Sequence, residues 1–305
     1  MDKYRIMTFD GGGIRGVLTA TLLKRLKDEP EISEFINMTE LFAGTSTGSI
    51  ITLGLAYGLS PEDLVDFYVR YGKYIFTPQY MQCYRPKYDN KHLKQALSMI
   101  FPKNLRLSDL SHKVLIPSFR VTGSYSKPYW SPVFFNNLPD STNMEALVID
   151  VALASNAAPT YFPSYKSHVD GAVIANNPST AAIAAARGEQ GNIKALDDMY
   201  LLSIGTGIYP QQITADTTKW GSIEWSFYPK PPYPLLELLF NSDIGVNEFY
   251  SYQLLREQYC RLNLEIPKEI GPIPLDAYSK TPTLISLANG LDLEMTINWV
   301  RNNWF

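Results

Sequence analysis

Apolar residues recur along the chain at two spacings, and segments of the two kinds alternate. The short apolar or alternating runs, which predict strands, cover residues 4–9, 41–43, 114–121, 133–136 and 200–204, with another strand ending at 169–170. The segments with helical spacing cover residues 17–26, 49–57, 61–71, 91–100, 146–154 and 178–187. A strand–helix alternation of this kind predicts an α/β fold with a largely parallel sheet.

The chain shows no internal repeat and no low-complexity tract that would divide it. The proline-rich stretch 229–234 is the best candidate for a loop or a subdomain boundary. Residues 226–305 are less regular, and we expect them to add helices to the same domain. We therefore predict one domain over residues 1–305, with core motifs in 4–225 and a C-terminal helical extension in 226–305.

Composition narrows the classes of protein to consider. The net charge is −3, from 27 basic and 30 acidic residues, which argues against a partner that is a nucleic acid polymer. Cys83 and Cys260 are the two cysteines, too few for a disulfide framework, and zinc-site spacings are absent. Reduced thiols in the cytoplasm are the simpler interpretation.

No membrane-spanning or targeting segment is evident. The first residues lack the apolar run of a signal peptide. The longest uncharged run, residues 41–59, has the length of a membrane span but is interrupted by glycines and by serine and threonine side chains. A buried strand–turn–helix explains it better, and we expect a cytoplasmic protein.

Residues 11–16, GGGIRG, fit the G-x-G-x-x-G pattern between a strand and a helix. That pattern is typical of dinucleotide-binding folds, which also need an acidic residue at the end of the second strand. Here the second strand, 41–43, runs into Gly-Thr-Ser instead. A dinucleotide-dependent oxidoreductase is therefore a distant alternative. A glycine turn at a helix N-terminus offers backbone N–H groups to any anion, including a transient oxyanion.

Residues 44–48, GTSTG, match G-x-S-x-G between a strand and a helix. This arrangement is typical of a nucleophile elbow, in which small flanking residues permit a tight turn that exposes the serine hydroxyl. Ser46 is then the candidate nucleophile. The alternative is a small-residue turn without chemistry.

A nucleophilic serine needs a base, and the sequence offers two candidates. Of three histidines only His168 is suitably placed, two residues before Asp170 and on the same face of an extended segment. Asp170 itself can accept the serine proton if burial raises its pKa. The residues alone leave open a triad through His168 and a direct Ser–Asp pair.

Taken together, residues 10–16 (DGGGIRG), 44–48 and 170–172 (DGA) resemble the patatin-like phospholipase family, in the family's order. The resemblance implies a three-layer α/β/α sandwich with a mostly parallel central sheet, and a Ser–Asp dyad without a catalytic histidine. It assigns catalysis to Ser46 and Asp170, the oxyanion hole to Gly11, Gly12 and Gly13, and supporting roles to Arg15, Gly16, Gly44, Gly48, Gly171 and Ala172.

The function implied by this resemblance is that of a serine acyl hydrolase, a phospholipase A or lysophospholipase, which needs no cofactor and no metal. The expected partner is a membrane phospholipid or another glycerolipid, reached by peripheral membrane contact. Some microbial members are activated by a cyclic nucleotide, but the motifs identify no small-molecule activator here. The alternative is a catalytically silent lipid-binding or regulatory module of the same fold.

The segment 227–240 is the most apolar candidate for membrane contact. Leu235, Leu236, Leu238, Leu239 and Phe240 cover much of a helix there. Burial of the same side chains in the core is the competing interpretation.

Overall fold

The strands form a single mixed sheet in which the strands near the centre run parallel. The computed structural model describes residues 3–80, 84–123, 128–139, 141–188, 195–231 and 233–305; Cys83 lies outside them. The strands are β1 (Tyr4–Phe9), β2 (Leu41–Gly44), β3 (Lys113–Arg120), β4 (Ser131–Asn136), β5 (His168–Asp170), β6 (Met199–Ile204) and β7 (Tyr259–Leu262). Their order is β4-β3-β2-β1-β6-β7, with β5 also paired to β3. β4 and β5 are antiparallel to β3, and the other pairings are parallel.

Helices cover both faces of this sheet. They are α1 (Gly16–Lys27), α2 (Thr47–Tyr57), α3 (Pro61–Ile75), α4 (Asn90–Leu97), α5 (Val148–Ser155), α6 (Ala172–Ala175), α7 (Ser179–Arg187), α8 (Ser222–Phe227), α9 (Pro234–Leu255), α10 (Thr281–Gly290) and α11 (Glu294–Asn303). Strand β1 shows why two helical layers are needed, because successive side chains point to opposite faces. Met7 and Phe9 join the larger core with α1 and α2, while Tyr4 and Ile6 join a second core with α7. The predicted α/β fold with its mostly parallel sheet is confirmed.

The C-terminal part contains more than the helices that the sequence predicted for 226–305. Strand β7 lies there and extends the sheet by pairing with β6. β7 has only four residues, and Cys260 and Arg261 at its centre are half-buried, so its apolar pattern is too short to indicate a strand. That residues 1–305 form one domain stays a prediction.

The position of β5 determines where the ends of two distant segments meet. The first half of β3, Lys113–Leu115, pairs with β2, and the second half, Ser118–Arg120, pairs with β5. Because β4 occupies the opposite edge of β3 at Ser118–Arg120, β5 lies on the β2 side, beyond the end of β2. Asp170, the last residue of β5, is thereby placed beside the turn that follows β2, which contains Ser46.

Candidate active site

Ser46 occupies a strained turn between β2 and α2. Its backbone has φ 53° and ψ −122°, a region that residues other than glycine rarely adopt. Neighbouring groups hold this conformation: the Ser46 N–H donates to Ser155 Oγ (3.0 Å), and the Ser46 carbonyl accepts from the Ser49 N–H (2.8 Å) and Asn156 Nδ2 (2.9 Å). The turn therefore has the geometry expected of a nucleophile elbow.

Glycines on both sides of Ser46 make this turn possible. A Cβ added at Gly48 would collide with the carbonyl oxygen of Phe9, and one added at Gly44 with the carbonyl of Gly48. The close approach places the start of α2 directly against the end of β1. Gly16, at the start of α1, is equally restricted, because a Cβ there would collide with the Thr47 side chain.

Ser46 and Asp170 are in direct contact. Ser46 Oγ donates a hydrogen bond of 2.6 Å to Asp170 Oδ2, and the Ala172 N–H donates to Asp170 Oδ1 at 2.8 Å. Gly171 positions this segment through its N–H, which donates to the carbonyl of Ser155 at 3.3 Å. Asp170 is only 1% exposed, and burial raises its pKa to about 7, although the hydrogen bonds from Ser46 and Ala172 favour the charged form. A carboxylate with this pKa can accept and return a proton near neutral pH.

His168 does not join this pair. Its Nδ1 lies 2.7 Å from the carbonyl oxygen of Lys166, and its ring packs against Phe135 with centroids 5.4 Å apart. Burial lowers the pKa of its imidazole. It lines a separate depression, and no histidine among the described residues lines the pocket that contains Ser46.

The glycine loop after β1 forms another wall of the same pocket. The Gly11 N–H donates to the Asn176 carbonyl at 3.0 Å, and the Gly11 carbonyl accepts from Thr206 Oγ1 at 2.9 Å. The N–H groups of Gly12 and Gly13 donate to no other residue within the described ranges, and Gly13 has φ +59°. The Gly11 N–H is thus engaged with Asn176, which leaves those of Gly12 and Gly13 as the free donors facing the pocket, and the role of Gly11 in an oxyanion hole stays a prediction.

A pocket lies between these elements, and α3, α4 and α9 complete its walls. Ser46, Asp170 and the glycine loop contribute polar groups to it, and Arg15, Asn156, Asn176, Glu237 and Asn241 contribute others. The apolar side chains that line the remainder are Ile50, Phe67, Ile75, Phe76, Leu93, Phe162 and Phe240. A wall of apolar side chains beside a group of polar ones fits a ligand that has a polar reactive group and a hydrocarbon chain.

Arg15 is the cationic group in this pocket. It is half-buried at the start of α1, and its Nε donates to the carbonyl of Gly12 at 3.4 Å. Burial lowers the pKa of its guanidinium, while the carboxylates of Glu237 and Asp10 favour the charged form. Arg15 therefore supports the glycine loop and also brings positive charge to the pocket.

Several residues of the site were not identified from the sequence. They are Ser155, Asn156, Asn176 and Thr206, whose side chains or carbonyls bond to the backbone of Ser46 or Gly11. Isolated small polar residues of this kind carry no recognisable motif. Only Asn176 had a signal, since it begins an Asn-Asn-Pro turn shortly after Asp170.

Comparison with known proteins identifies a family and several similar proteins. Residues 7–183 match the family model described as patatin-like phospholipase. The chain is 34% identical to "Protein teg" of Priestia megaterium, over the full length of both, and 33% identical to the "Putative sporulation hydrolase CotR" of Bacillus subtilis, over 100% of this chain and 99% of that protein. It is 33% identical to a "cGAMP-activated phospholipase" of Vibrio cholerae over 58% of this chain and 56% of that one. The Pseudomonas aeruginosa ExoU–SpcU structure aligns with TM-score 0.42 at 12% identity, covering 99% of this chain and 58% of the matched chain.

The raised pKa of Asp170 predicts how hydrolysis of a soluble ester depends on pH. Only the deprotonated carboxylate can accept the Ser46 proton, so kcat/KM should rise with pH through about 7 and then level off. A profile measured from pH 4 to pH 9 tests this expectation. A rise centred near 4 instead would mean that the functional carboxylate is not buried as described.

The same shift predicts a stability change in Asp170→Asn. Because folding raises this pKa from 3.8 to about 7, the protonated form is stabilised, and wild-type stability falls as pH rises through that interval. We expect Asp170→Asn to melt at a higher temperature than wild type at pH 8, by roughly a few kcal/mol of stability, and this difference should shrink steadily as the pH is lowered towards 4. Asp66→Asn, at an exposed position in α3, is the surface control and should show no such contrast.

Proposed function

The chain belongs to the patatin-like phospholipase family, and we propose that it is a serine acyl hydrolase that cleaves fatty-acyl esters of glycerolipids as a phospholipase A or lysophospholipase. Family membership supports a lipid acyl hydrolase in general terms. The observation that carries the specific proposal is the 2.6 Å hydrogen bond from Ser46 Oγ to the buried carboxylate of Asp170.

In the first half of the proposed reaction, Ser46 Oγ attacks the ester carbonyl carbon while Asp170 Oδ2 takes the hydroxyl proton. The carbonyl oxygen becomes an oxyanion, which the N–H groups of Gly12 and Gly13 stabilise by hydrogen bonds. Collapse of this intermediate breaks the carbon–oxygen bond, and Asp170 returns the proton to the departing alcohol. The acyl group is then esterified to Ser46.

In the second half, water attacks the acyl-enzyme and Asp170 again takes the proton. The oxyanion forms in the same place, and its collapse releases the fatty acid and returns the proton from Asp170 to Ser46 Oγ. One carboxylate thus serves both steps, first as base and then as acid. A pKa near neutrality suits both directions of transfer.

The pocket walls support a lipid as the substrate. The apolar residues beyond Ser46 offer a surface for an acyl chain, and Phe67, Phe76 and Phe162 contribute much of it. Arg15 lies in the same pocket, where its charge suits the phosphate of a phospholipid.

Helix α9 carries a solvent-exposed apolar stripe that begins beside the pocket. Its members are Leu235, Leu238, Leu239, Val246, Phe249 and Tyr250, each 46–58% exposed. Their spacing of three and four residues places them on one side of the helix. Glu237, Phe240 and Asn241 of the same helix line the pocket from another side. We propose that this stripe contacts the lipid surface from which the substrate is drawn.

The apolar residues of the segment 227–240, the candidate for membrane contact, differ in their exposure to solvent. Phe240 is 8% exposed and borders the pocket, and its carbonyl accepts a hydrogen bond from Asn176 Nδ2. Leu236 is half-buried, whereas Leu235, Leu238 and Leu239 are exposed. Core burial therefore applies to Phe240, and membrane contact by Leu235, Leu238 and Leu239 stays a proposal. No helix in the described part of the chain is long and apolar enough to cross a bilayer.

The dyad can be separated from a triad by three substitutions. Ser46→Ala and Asp170→Asn should each lower kcat/KM on a short-chain ester by about a thousandfold or more and to similar extents, because a nucleophile and its base act as a unit. His168→Gln should change kcat/KM by less than about threefold, since its side chain lies outside the pocket. If folded His168→Gln is as inactive as Ser46→Ala, the dyad mechanism is wrong.

Membrane contact by α9 can be tested with Leu235→Ser/Leu239→Ser, in a Ser46→Ala background that leaves the vesicles intact. Binding to phosphatidylcholine vesicles should weaken about tenfold or more, because two large apolar side chains no longer enter the interface. Between about 0.05 M and 0.5 M salt, binding should change little, because α9 contains no lysine or arginine.

Two controls make this result interpretable. Val69→Ser/Met295→Ser removes exposed apolar side chains from α3 and α11 and should leave vesicle binding unchanged. With Ser46 restored, the α9 variant should hydrolyse a soluble ester at the wild-type rate. Unchanged vesicle binding, or a dimer in solution that the α9 variant dissociates, would contradict the proposal.

A further inference from the structure

The carboxylate of Asp10, at the start of the glycine loop, is held by an arginine from the far end of the sheet. Arg261 of β7 forms a two-pronged ion pair with it: Nη1 lies 2.9 Å from Oδ1, and Nη2 lies 2.5 Å from Oδ2. The side chains of Arg261 and Asp10 are 9% and 1% exposed. Burial favours the neutral acid and raises the pKa of Asp10, whereas the guanidinium opposes this shift.

Arg261 reaches Asp10 by crossing β6. Its Nη1 also donates to Ser203 Oγ of β6 at 2.8 Å, and its Nε lies 3.6 Å from a carboxylate oxygen of Glu248 in α9. Ser203 pairs with Thr8 of β1 in the sheet. The guanidinium thus connects β7, β6 and the end of β1 at the edge where the glycine loop begins.

The other end of the glycine loop is also held from the C-terminal part of the chain. The Ile14 N–H donates to the carbonyl of Leu275 at 2.7 Å. The next residue, Asp276, is fixed by Lys87 Nζ at 2.5 Å and by the Tyr88 hydroxyl at 2.6 Å. These two contacts of the loop, with Arg261 and Leu275, come from beyond residues 7–183, which match the family model.

We propose that Arg261 is a positioning residue for the oxyanion hole: by fixing Asp10, it holds the N–H groups of Gly12 and Gly13 where the oxyanion forms. This inference rests on the proposed function, because it assigns a purpose to those two N–H groups. Arg261 acts through Asp10 and the loop, and it does not touch the substrate.

Arginine suits this task because its rigid planar fork fixes the direction of a carboxylate as well as its distance. Without Arg261, the Asp10 carboxylate would still be buried but would lose the cation that now lies 2.5–2.9 Å from its two oxygens. Such a group reorients towards water or takes up a proton. Either change moves the residue that precedes the glycines, and a small displacement of an oxyanion donor is costly in rate.

The test compares Arg261→Met with Arg261→Lys. For a soluble short-chain ester, kcat of Arg261→Met should fall about a hundredfold, the effect expected for losing one oxyanion donor, while KM should stay within about twofold. Arg261→Lys keeps the charge without the fork, so its kcat should lie between those of Arg261→Met and wild type. If Arg261→Met does not fold, Arg261→Lys is the test: a kcat below that of wild type at an unchanged KM supports the proposal, and a wild-type kcat overturns it.

Arg5→Met is the matched control. Arg5 is a partly buried arginine at the other end of β1; it pairs with Glu40 at 3.0 Å and donates to the carbonyl of Trp304. Its loss should lower the melting temperature but leave kcat at the wild-type value. If Arg261→Met loses stability like Arg5→Met and keeps its kcat, Arg261 has only a structural role and the proposal is wrong.

Hydrogen exchange measured by mass spectrometry gives a readout that does not depend on turnover. Peptides covering residues 10–16 should exchange faster in Arg261→Met than in wild type, and in Arg5→Met they should not. Unchanged exchange in these peptides would overturn the proposal. A wild-type protein that hydrolyses no ester would instead refute the proposed function, and the exchange comparison would still decide whether Arg261 holds the loop.

Discussion

The site depends on the hydrogen bond that Ser46 donates to Asp170, whose carboxylate is almost entirely shielded from water. An isolated buried carboxylate is expensive, and it persists only where hydrogen bonds or a raised pKa reduce the cost. Here the Ser46 hydroxyl and the Ala172 N–H contact its two oxygens, and burial raises its pKa to about 7. The cost of burial is thus what gives the carboxyl group a proton affinity useful near neutral pH.

The order and direction of the strands bring Ser46 and Asp170 together. Parallel strands end at one edge of a sheet, so the glycine loop after β1 and the elbow after β2 are neighbours. The antiparallel β5 approaches this edge from the opposite direction, beyond the end of β2, and stops at Asp170. The strand ends there because a continuation beyond Asp170 in this line would run into the elbow.

Much of this arrangement could be predicted from the sequence, because its main motifs are local. The elbow at 44–48 and the glycine loop at 11–16 each lie between a strand and a helix, and the structure has both as expected. The use of the Gly11 N–H by Asn176 could not be predicted, since the two residues are far apart in the chain. Strand β7 was also missed, since its short pattern becomes a strand only by pairing with β6. Which leucines of α9 are buried and which are exposed could not be predicted either, because this depends on how the helix packs against the rest of the protein.

The late position of β7 in the chain has a consequence for protein synthesis. Ser46 and Asp170 leave the ribosome well before Arg261 and Leu275, and translation at about 5–20 residues per second separates the two events by seconds. During that interval the nascent chain contains Ser46 and Asp170, but the glycine loop lacks its contacts with Arg261 and Leu275. Until residues through Leu275 have been made, the polypeptide therefore carries an incomplete site, and the proposed hydrolase activity would arise only after that point.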